Sequence, residues 1–341
     1  MRLAIFVLGI WVLGCSGRGA VSPVAGAPSS IGGAGRDVLV FEGMCDASGA
    51  VALAGDLFVV GDDEDNILRV YDARRGGPPV RSVDLSPSLA LVATGKKVPE
   101  ADIEAATQLG SLSFWLTSHG RNSSGKKAPG RLRFFATEGT PEGPRVVGRP
   151  YMGLLEDLLA SPGLARFHLE RAEALAPKAP GGLNIEGMTA TEDGAAVLIG
   201  FRSPVPEGRA LVVPLHNPRE MVLEGARASV GTPRLLDLGG QGIRSMSWWR
   251  GRYLLISGDA AGGTTSHLFT WKGGEDAPVP VREVDLAGFN PEAFFTPESE
   301  AEILLLSDDG TVPLDGVACK KLGDPARKRF RGVWVRLPDS P

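Results

Sequence analysis

The sequence predicts an all-β fold, a single β-propeller of five four-stranded blades, on three observations. A short acidic phrase recurs five times, and each copy leads into a run of strand-like apolar blocks. Gly and Pro, at 46 and 26 of 341 residues, supply the tight turns that many short strands need. The chain is 43% hydrophobic, enough for a large core. A sixth, degenerate blade inside the longest gap between repeats is the alternative count.

Residues 1–14 read as an export signal. Arg2 supplies the positive start, and Leu3–Leu13 is an apolar run too short to span a bilayer. The segment ends Val12-Leu13-Gly14-Cys15, which resembles the lipobox of bacterial lipoproteins. That resemblance implies a lipidated Cys15 as the first mature residue; a plain cleaved signal with an incidental Cys is the other reading. Ser16 is compatible with sorting to the outer membrane, so the expected location is exported and membrane-anchored. Residues 15–36 are mostly Gly, Ser, Ala, Pro and Val, the composition of a flexible tether. The folded domain is then 37–341, expected as a monomer.

Within it the opening phrases are Phe41-Glu42-Gly43-Met44, Ile103-Glu104-Ala105-Ala106, Ile185-Glu186-Gly187-Met188, Ile243-Arg244-Ser245-Met246 and Pro291-Glu292-Ala293-Phe294. Apolar second-strand blocks follow at Leu57–Val60, Ser113–Leu116, Ala196–Ile199, Tyr253–Ile256 and Ile303–Leu306. Third strands fall at Ile67–Tyr71, Leu132–Phe135, Ala210–Val213, Leu268–Trp271 and Val333–Val335. Fourth strands are expected around Ser82–Leu85, Val146-Val147, Leu235–Leu238 and Glu283–Leu286. Four short strands in each repeat is the arithmetic of a propeller blade.

The fifth repeat has no fourth strand of its own, whereas Val38–Phe41 stands before the first phrase without a blade. The N-terminal strand should therefore complete the last blade and close the ring, leaving no open edge. Cys45 and Cys319 then become neighbours, in an oxidising compartment where a disulfide is expected; a buried free pair is the alternative. The long gap at 151–180 carries helically spaced leucines broken by Pro162, a pair of short helices forming either a rim cap or a lid over the channel.

First strands line a propeller's channel, so the repeat predicts Glu42, Glu104, Glu186 and Glu292 around one axis, with Arg244 among them. Crowded carboxylates need a cation, shared protons or arginine. Either a hard cation such as Ca²⁺ sits among them, or Arg244 and backbone amides neutralise them as structural glue. A second polar column, Asp62, Asp63, His119, Arg202, Asp259, Asp308 and Asp309, ends the second strands. About half of it is ordinary turn chemistry. Arg202 with Arg244 suits an anionic ligand such as a phosphate or carboxylate.

Other motifs carry less. Gly120–Lys127 approaches a phosphate-binding loop but lacks the final Ser/Thr and a following helix, so it reads as a hairpin loop. No nucleophile elbow, His-Glu-x-x-His or Cys-x-x-Cys occurs. A formal charge of −4 and a pI near 5.7 argue against nucleic acid as a partner.

The phrases Asn184-Ile185-Glu186-Gly187-Met188, Ile199–Pro204, Gly242-Ile243-Arg244, Ser307–Gly310, Cys319-Lys320 and Phe330-Arg331 resemble an uncharacterised bacterial family, the domain of unknown function 3616, over about residues 37–337. That family is similar in style to secreted phytase-like and esterase-like propellers. The resemblance brings no established catalytic residue with it. Two functions stay open on the sequence. One is a small-anion binder with a divalent cation, extending to metal-assisted phosphoester or ester hydrolysis with Glu186 or Glu42 as general base and Arg202 and Arg244 on the anion. The other is a non-catalytic propeller that holds a protein partner at the cell envelope.

Overall fold

The computed structural model describes residues 38–93, 95, 97–263, 265–297 and 301–338. The expected signal, Cys15 and the tether lie outside the described residues.

The first strand, β1 (Val38–Glu42), precedes the blades proper. Blade I is β2 (Gly49–Ala52), β3 (Leu57–Gly61), β4 (Ile67–Asp72) and β5 (Arg81–Asp84). Blade II is β6 (Ile103–Leu109), β7 (Leu112–Thr117), β8 (Phe134–Thr140) and β9 (Gly143–Tyr151). Blade III is β10 (Asn184–Ala190), β11 (Val197–Ser203), β12 (Ala210–Leu215) and β13 (Arg234–Leu236). Blade IV is β14 (Gly242–Trp249), β15 (Arg252–Gly258), β16 (Ser266–Trp271) and β17 (Val279–Pro280). Blade V takes β18 (Pro291–Phe295) and β19 (Glu302–Ser307); a small hairpin of β20 (Pro313–Leu314) and β21 (Val317–Ala318) intervenes before β22 (Arg329–Arg336). All pairings within blades are antiparallel, and β2, β6, β10, β14 and β18 neighbour one another in a ring around the axis. Five blades are present, and the long gap between blades II and III holds no sixth sheet among the described residues.

The apolar blocks of the second strands are continuous because both faces of each blade are buried against a neighbour. In β3, Phe58 and Val60 pack toward blade V while Val59 packs toward blade II. In β15, Leu254 and Ile256 pack toward blade V and Tyr253 and Leu255 toward blade III. One apolar cluster fills each of the five blade interfaces. Fully burying a side chain of this size contributes about 1.5–3 kcal/mol, so the interfaces are the main source of stability.

The ring closes as the sequence predicts. β1 pairs with β22 from Val38↔Val333 to Glu42↔Arg329, and Phe41 stacks on Phe330 at 4.9 Å and meets Phe58 and Tyr71 edge-on. Cys45 and Cys319, 274 residues apart, are joined by a disulfide just past this strand. Such a bond belongs to an oxidising compartment.

One expectation needs correcting, and the cap reading of the insertion holds. The fourth strand of blade IV is Val279–Pro280, not Glu283–Leu286, where Val284 turns inward on the blade IV/V interface instead. The insertion does hold short helices, α1 (Leu154–Ala160) and α2 (Leu169–Glu173), around a 3₁₀ turn at Pro162–Phe167. It is a side cap and not a lid: Leu154, Leu158, Leu164, Phe167 and Leu169 all sink into the blade II/III interface. Asp157 clamps it to blade III, accepting from the Ala228 amide at 2.8 Å and from Arg227 and Tyr151.

Candidate functional site

Four axial charges share one backbone device. Glu104, Glu186, Arg244 and Glu292 each occupy the extra position of a β-bulge, where the register steps from Ile103 to Ala105, Ile185 to Gly187, Ile243 to Ser245 and Pro291 to Ala293. A bulge leaves one residue unpaired and re-aims its side chain. Here four blades use it to turn a charge into the channel. Blade I pairs regularly and offers Gly49 instead, where a Cβ would lie 2.8 Å from the Ala105 carbonyl carbon.

The sequence is therefore wrong about Glu42. Its Glu-Gly-Met imitates the phrase at 186–188, but it ends the outermost strand of blade V and is exposed. Gly43, at φ +101°, turns the chain away before blade I begins. Glu42 is neither an axial ligand nor a candidate base.

The other three glutamates converge: oxygens of Glu104, Glu186 and Glu292 lie within 4.8 Å of one another, and all three side chains are buried. Two arginines enter the cluster. Arg202, at the end of β11, places Nη1 2.7 Å from Glu186 Oε1 and 4.0 Å from Glu292 Oε1, and its Nε donates to the Asp259 carbonyl at 3.0 Å. Arg244 places Nη2 2.6 Å from Glu292 Oε1 and 3.4 Å from Asp308 Oδ2, with Nε 3.8 Å from Glu186 Oε2. Its Nη1 donates to Asn290. Both guanidiniums are thus engaged by the protein's own acids, as internal counter-ions rather than an open anion cradle.

The arginines do not balance the site. Burial, then Glu186, Asp102 and Asp63, push the Glu104 carboxyl well above its ordinary range. Burial lifts Glu292 to about 8 despite the opposing pull of Arg244. Burial and then Asp102, Glu292 and Asp308 raise Asp63 likewise. Asp308 goes the other way, to about 2: burial is outweighed by Asp46, Arg244 and the Gly310 amide. Glu186 Oε2 and Asn184 Oδ1 are buried without a hydrogen-bond partner, although Asn184 Nδ2 donates to Glu186 Oε1 at 2.6 Å. Buried polar atoms left in this state call for an ion, a proton or water.

The second column divides. Asp63, Arg202, Asp259 and Asp308 border the axial cluster, and Asp63, Asp259 and Asp308 keep partial exposure, so the site opens on their side. Asp62 caps a turn through the Glu64 and Asp65 amides and faces Arg69. Asp309 is taken by Arg331, which donates Nε at 2.8 Å and Nη2 at 2.7 Å. His119 is buried with a left-handed backbone and its Nδ1 2.7 Å from the Thr117 carbonyl, and burial lowers its imidazole to about 4. Burial thus favours its neutral form.

Sequence reasoning missed a polar residue two places before the axial charge in three blades: Asp102, Asn184 and Asn290. Asp102 pairs with Arg131 at 2.7 Å, Asn184 holds Glu186, and Asn290 Nδ2 donates to Asp308 Oδ2 at 3.1 Å. The i, i+2 spacing was visible in the repeat itself. Asp46, between β1 and β2, has no counterpart in other blades and no signal in the sequence.

A cavity of about 1090 Å³ opens at the opposite face, walled by Ala105, Met188, Ser245 and Phe294 and reaching Trp248 near its mouth. The three glutamates are not among its lining residues.

Residues 152–285 match the family described as Protein of unknown function (DUF3616). The resemblance read from the sequence holds over these residues. No curated protein matches the chain. Among solved structures it is similar to the PQQ-bound aldose sugar dehydrogenase of Streptomyces coelicolor, at 12% identity, covering 89% of this chain and 99% of that one, with TM-score 0.43. It is also similar to Myxococcus xanthus glutaminyl cyclase, at 12% identity, 88% and 95% coverage and TM-score 0.45. A third is the exo-β-1,3-galactanase of Phanerochaete chrysosporium, at 12% identity, 89% and 65% coverage and TM-score 0.48. At such identities and scores the likeness extends to neither ligand nor reaction.

Proposed function

We propose that the protein binds a divalent cation on Glu104, Glu186 and Glu292, and that a small anionic ligand reaches this centre through the bound cation. The observation that carries the reading is the buried, unpartnered Glu186 Oε2 within a three-carboxylate cluster. All donors are oxygens, which suits a hard cation, Ca²⁺ before a thiophilic metal. The rim residues Asp63, Asp259 and Asp308 are acidic, so an anion is repelled from the cation-free site.

A cation here, when bound, polarises an ester and acidifies a water molecule. Arg202 and Arg244 hold Glu186 and Glu292 in place around that cation. Metal-assisted hydrolysis of a phosphoester or carboxyl ester is the reaction class this arrangement favours. The signal-like residues 1–14, the lipobox-like Val12–Cys15 and the disulfide together support an exported, lipid-anchored protein.

Thermal unfolding tests the cation. Chelator-stripped protein should gain a saturable rise in Tm with Ca²⁺, RT ln(1 + [L]/Kd) in stability, and Glu104→Gln and Glu186→Gln should abolish it. Identical Tm values with and without Ca²⁺, Mg²⁺, Mn²⁺ and Zn²⁺ would reject the metal centre and redirect the search to envelope protein partners.

A further inference from the structure

Glu104, Glu186 and Glu292 stand near the starts of β6, β10 and β18. The cavity of about 1090 Å³ takes instead the later residues of the first strands and the turns that follow them, at 53–55, 110–111, 250–251 and 296–297. It is a separate compartment, formed at the other ends of the strands that carry the acids. Its volume comes from small side chains, among them Gly49, Ala50, Ala52, Ala105 and Ser245. Protein interiors are otherwise close-packed, so a space of this size is filled by water or by a ligand. It lies at the upper end of the range for ligand pockets, about 300–1,000 Å³.

The lining selects the chemistry. Charged residues make up 22% of the chain, yet among the described residues around the cavity Arg250 is the sole charged one. Arg250 is exposed in a turn, its guanidinium 5.5 Å from the centre of the Trp249 ring. An ionic ligand would meet one counter-charge at the rim and none deeper in. Hydroxyls come from three blades: Thr107, Ser247 and Thr296 are half-buried on the wall, with the Oγ of Ser247 3.1 Å from the Oγ1 of Thr296. Gln108 adds an exposed carboxamide. An acyl chain would bury these groups without partners, whereas the hydroxyls of a ligand both donate and accept. Beside them Trp248, half-buried and packed on Tyr253 at 4.7 Å, supplies an aromatic surface. An aromatic ring flanked by uncharged hydrogen-bonding groups matches a sugar ring, which is apolar on its C–H face and polar around its edge.

We propose that this cavity binds a short neutral oligosaccharide, with Trp248 as the stacking surface and Thr107, Gln108, Ser247 and Thr296 as hydrogen-bonding groups. The site is independent of the cation reading above, because the three glutamates are not among its lining residues.

Isothermal titration calorimetry of the full chain, in chelator, with cellotriose, maltotriose, xylotriose and chitotriose tests the proposal. At least one trisaccharide should bind saturably, and Glu186→Gln should bind it as the wild type does. Trp248→Ala should abolish binding, and Gln108→Ala, a change at an exposed side chain that spares the core, should weaken it several-fold. No binding of any of the four sugars overturns the proposal. So does binding that both variants leave unchanged, which would place the sugar elsewhere on the protein. Binding of n-decanol without a response to any sugar would assign the cavity to an apolar ligand and overturn the saccharide class.

Discussion

Arg244 Nη2 lies 2.6 Å from Glu292 Oε1, and both side chains are almost wholly buried. A pair of this kind contributes little relative to an apolar replacement of both partners, but removing one partner strands a buried charge. Arg244 also faces Glu186 and Asp308, so its loss strands more than one. Arg244→Met should cost about 3–5 kcal/mol in urea unfolding without cation. Saturating Ca²⁺ should recover part of that loss, because a cation replaces the missing charge. Arg327→Met, at the exposed pair with Asp315, should leave the urea midpoint unchanged.

The raised carboxyls give the cation-free protein a specific pH response. Glu292 is lifted from 4.5 to about 8, and Asp46 to about 12 by burial and then by Asp308. A carboxyl held above its ordinary value keeps its proton in the folded state where the unfolded chain has released it. Stability then falls as pH rises between those two values. The Tm of chelated protein should therefore drop from pH 5 to pH 8, and Glu292→Gln should flatten the slope. Ca²⁺ should reverse the trend, since it favours the ionised form. The depressed carboxyl of Asp308 acts oppositely, with its contribution lost as pH falls from 3.8 toward about 2.

Closure of the ring depends on β1, and the disulfide holds the segment that follows it. The bond joins positions 274 residues apart, so it restricts the unfolded chain over nearly the whole domain. Replacing both cysteines with Ser should cost about 2–5 kcal/mol, read as a lower urea midpoint. The Ca²⁺-induced rise in Tm should persist in the double variant, because Glu104, Glu186 and Glu292 sit on β6, β10 and β18, away from the disulfide.

The architecture was legible because a propeller repeats. Second strands such as Leu57–Val60 and Ile303–Leu306 must be apolar on both faces to pack between blades, and that continuity survives in the sequence. The closing strand was legible by subtraction, since Val38–Phe41 had no blade and the last blade lacked a strand. Most of the acidic site followed from the same repeat, at Glu104, Glu186, Arg244 and Glu292. What stayed hidden was set by geometry between blades. Nothing local marks Asp46, whose position is imposed by ring closure against Gly310. Nor does sequence show that Arg244 reaches Glu186 and Glu292, or Arg202 Glu292, because those contacts cross from blade to blade.

Glu42 is the sharpest case of a local phrase overruled by topology, and it yields a control. Its Glu-Gly-Met copies Glu186-Gly187-Met188 residue for residue, yet the first sits on the outermost strand of blade V and the second on the innermost strand of blade III. Strand order, not the phrase, decides which glutamate meets the axis, and a bulge decides that it points inward. Tyr71 donates to the Glu42 backbone carbonyl at 2.6 Å, a bond that side-chain substitution leaves intact. Glu42→Gln should therefore keep the wild-type Tm, its Ca²⁺-induced rise and the number of ions bound, whereas Glu186→Gln should lose the rise. A Glu42→Gln protein that no longer responds to Ca²⁺ would contradict the closed ring as well as the site, since only an unpaired β1 lets residue 42 reach the axis.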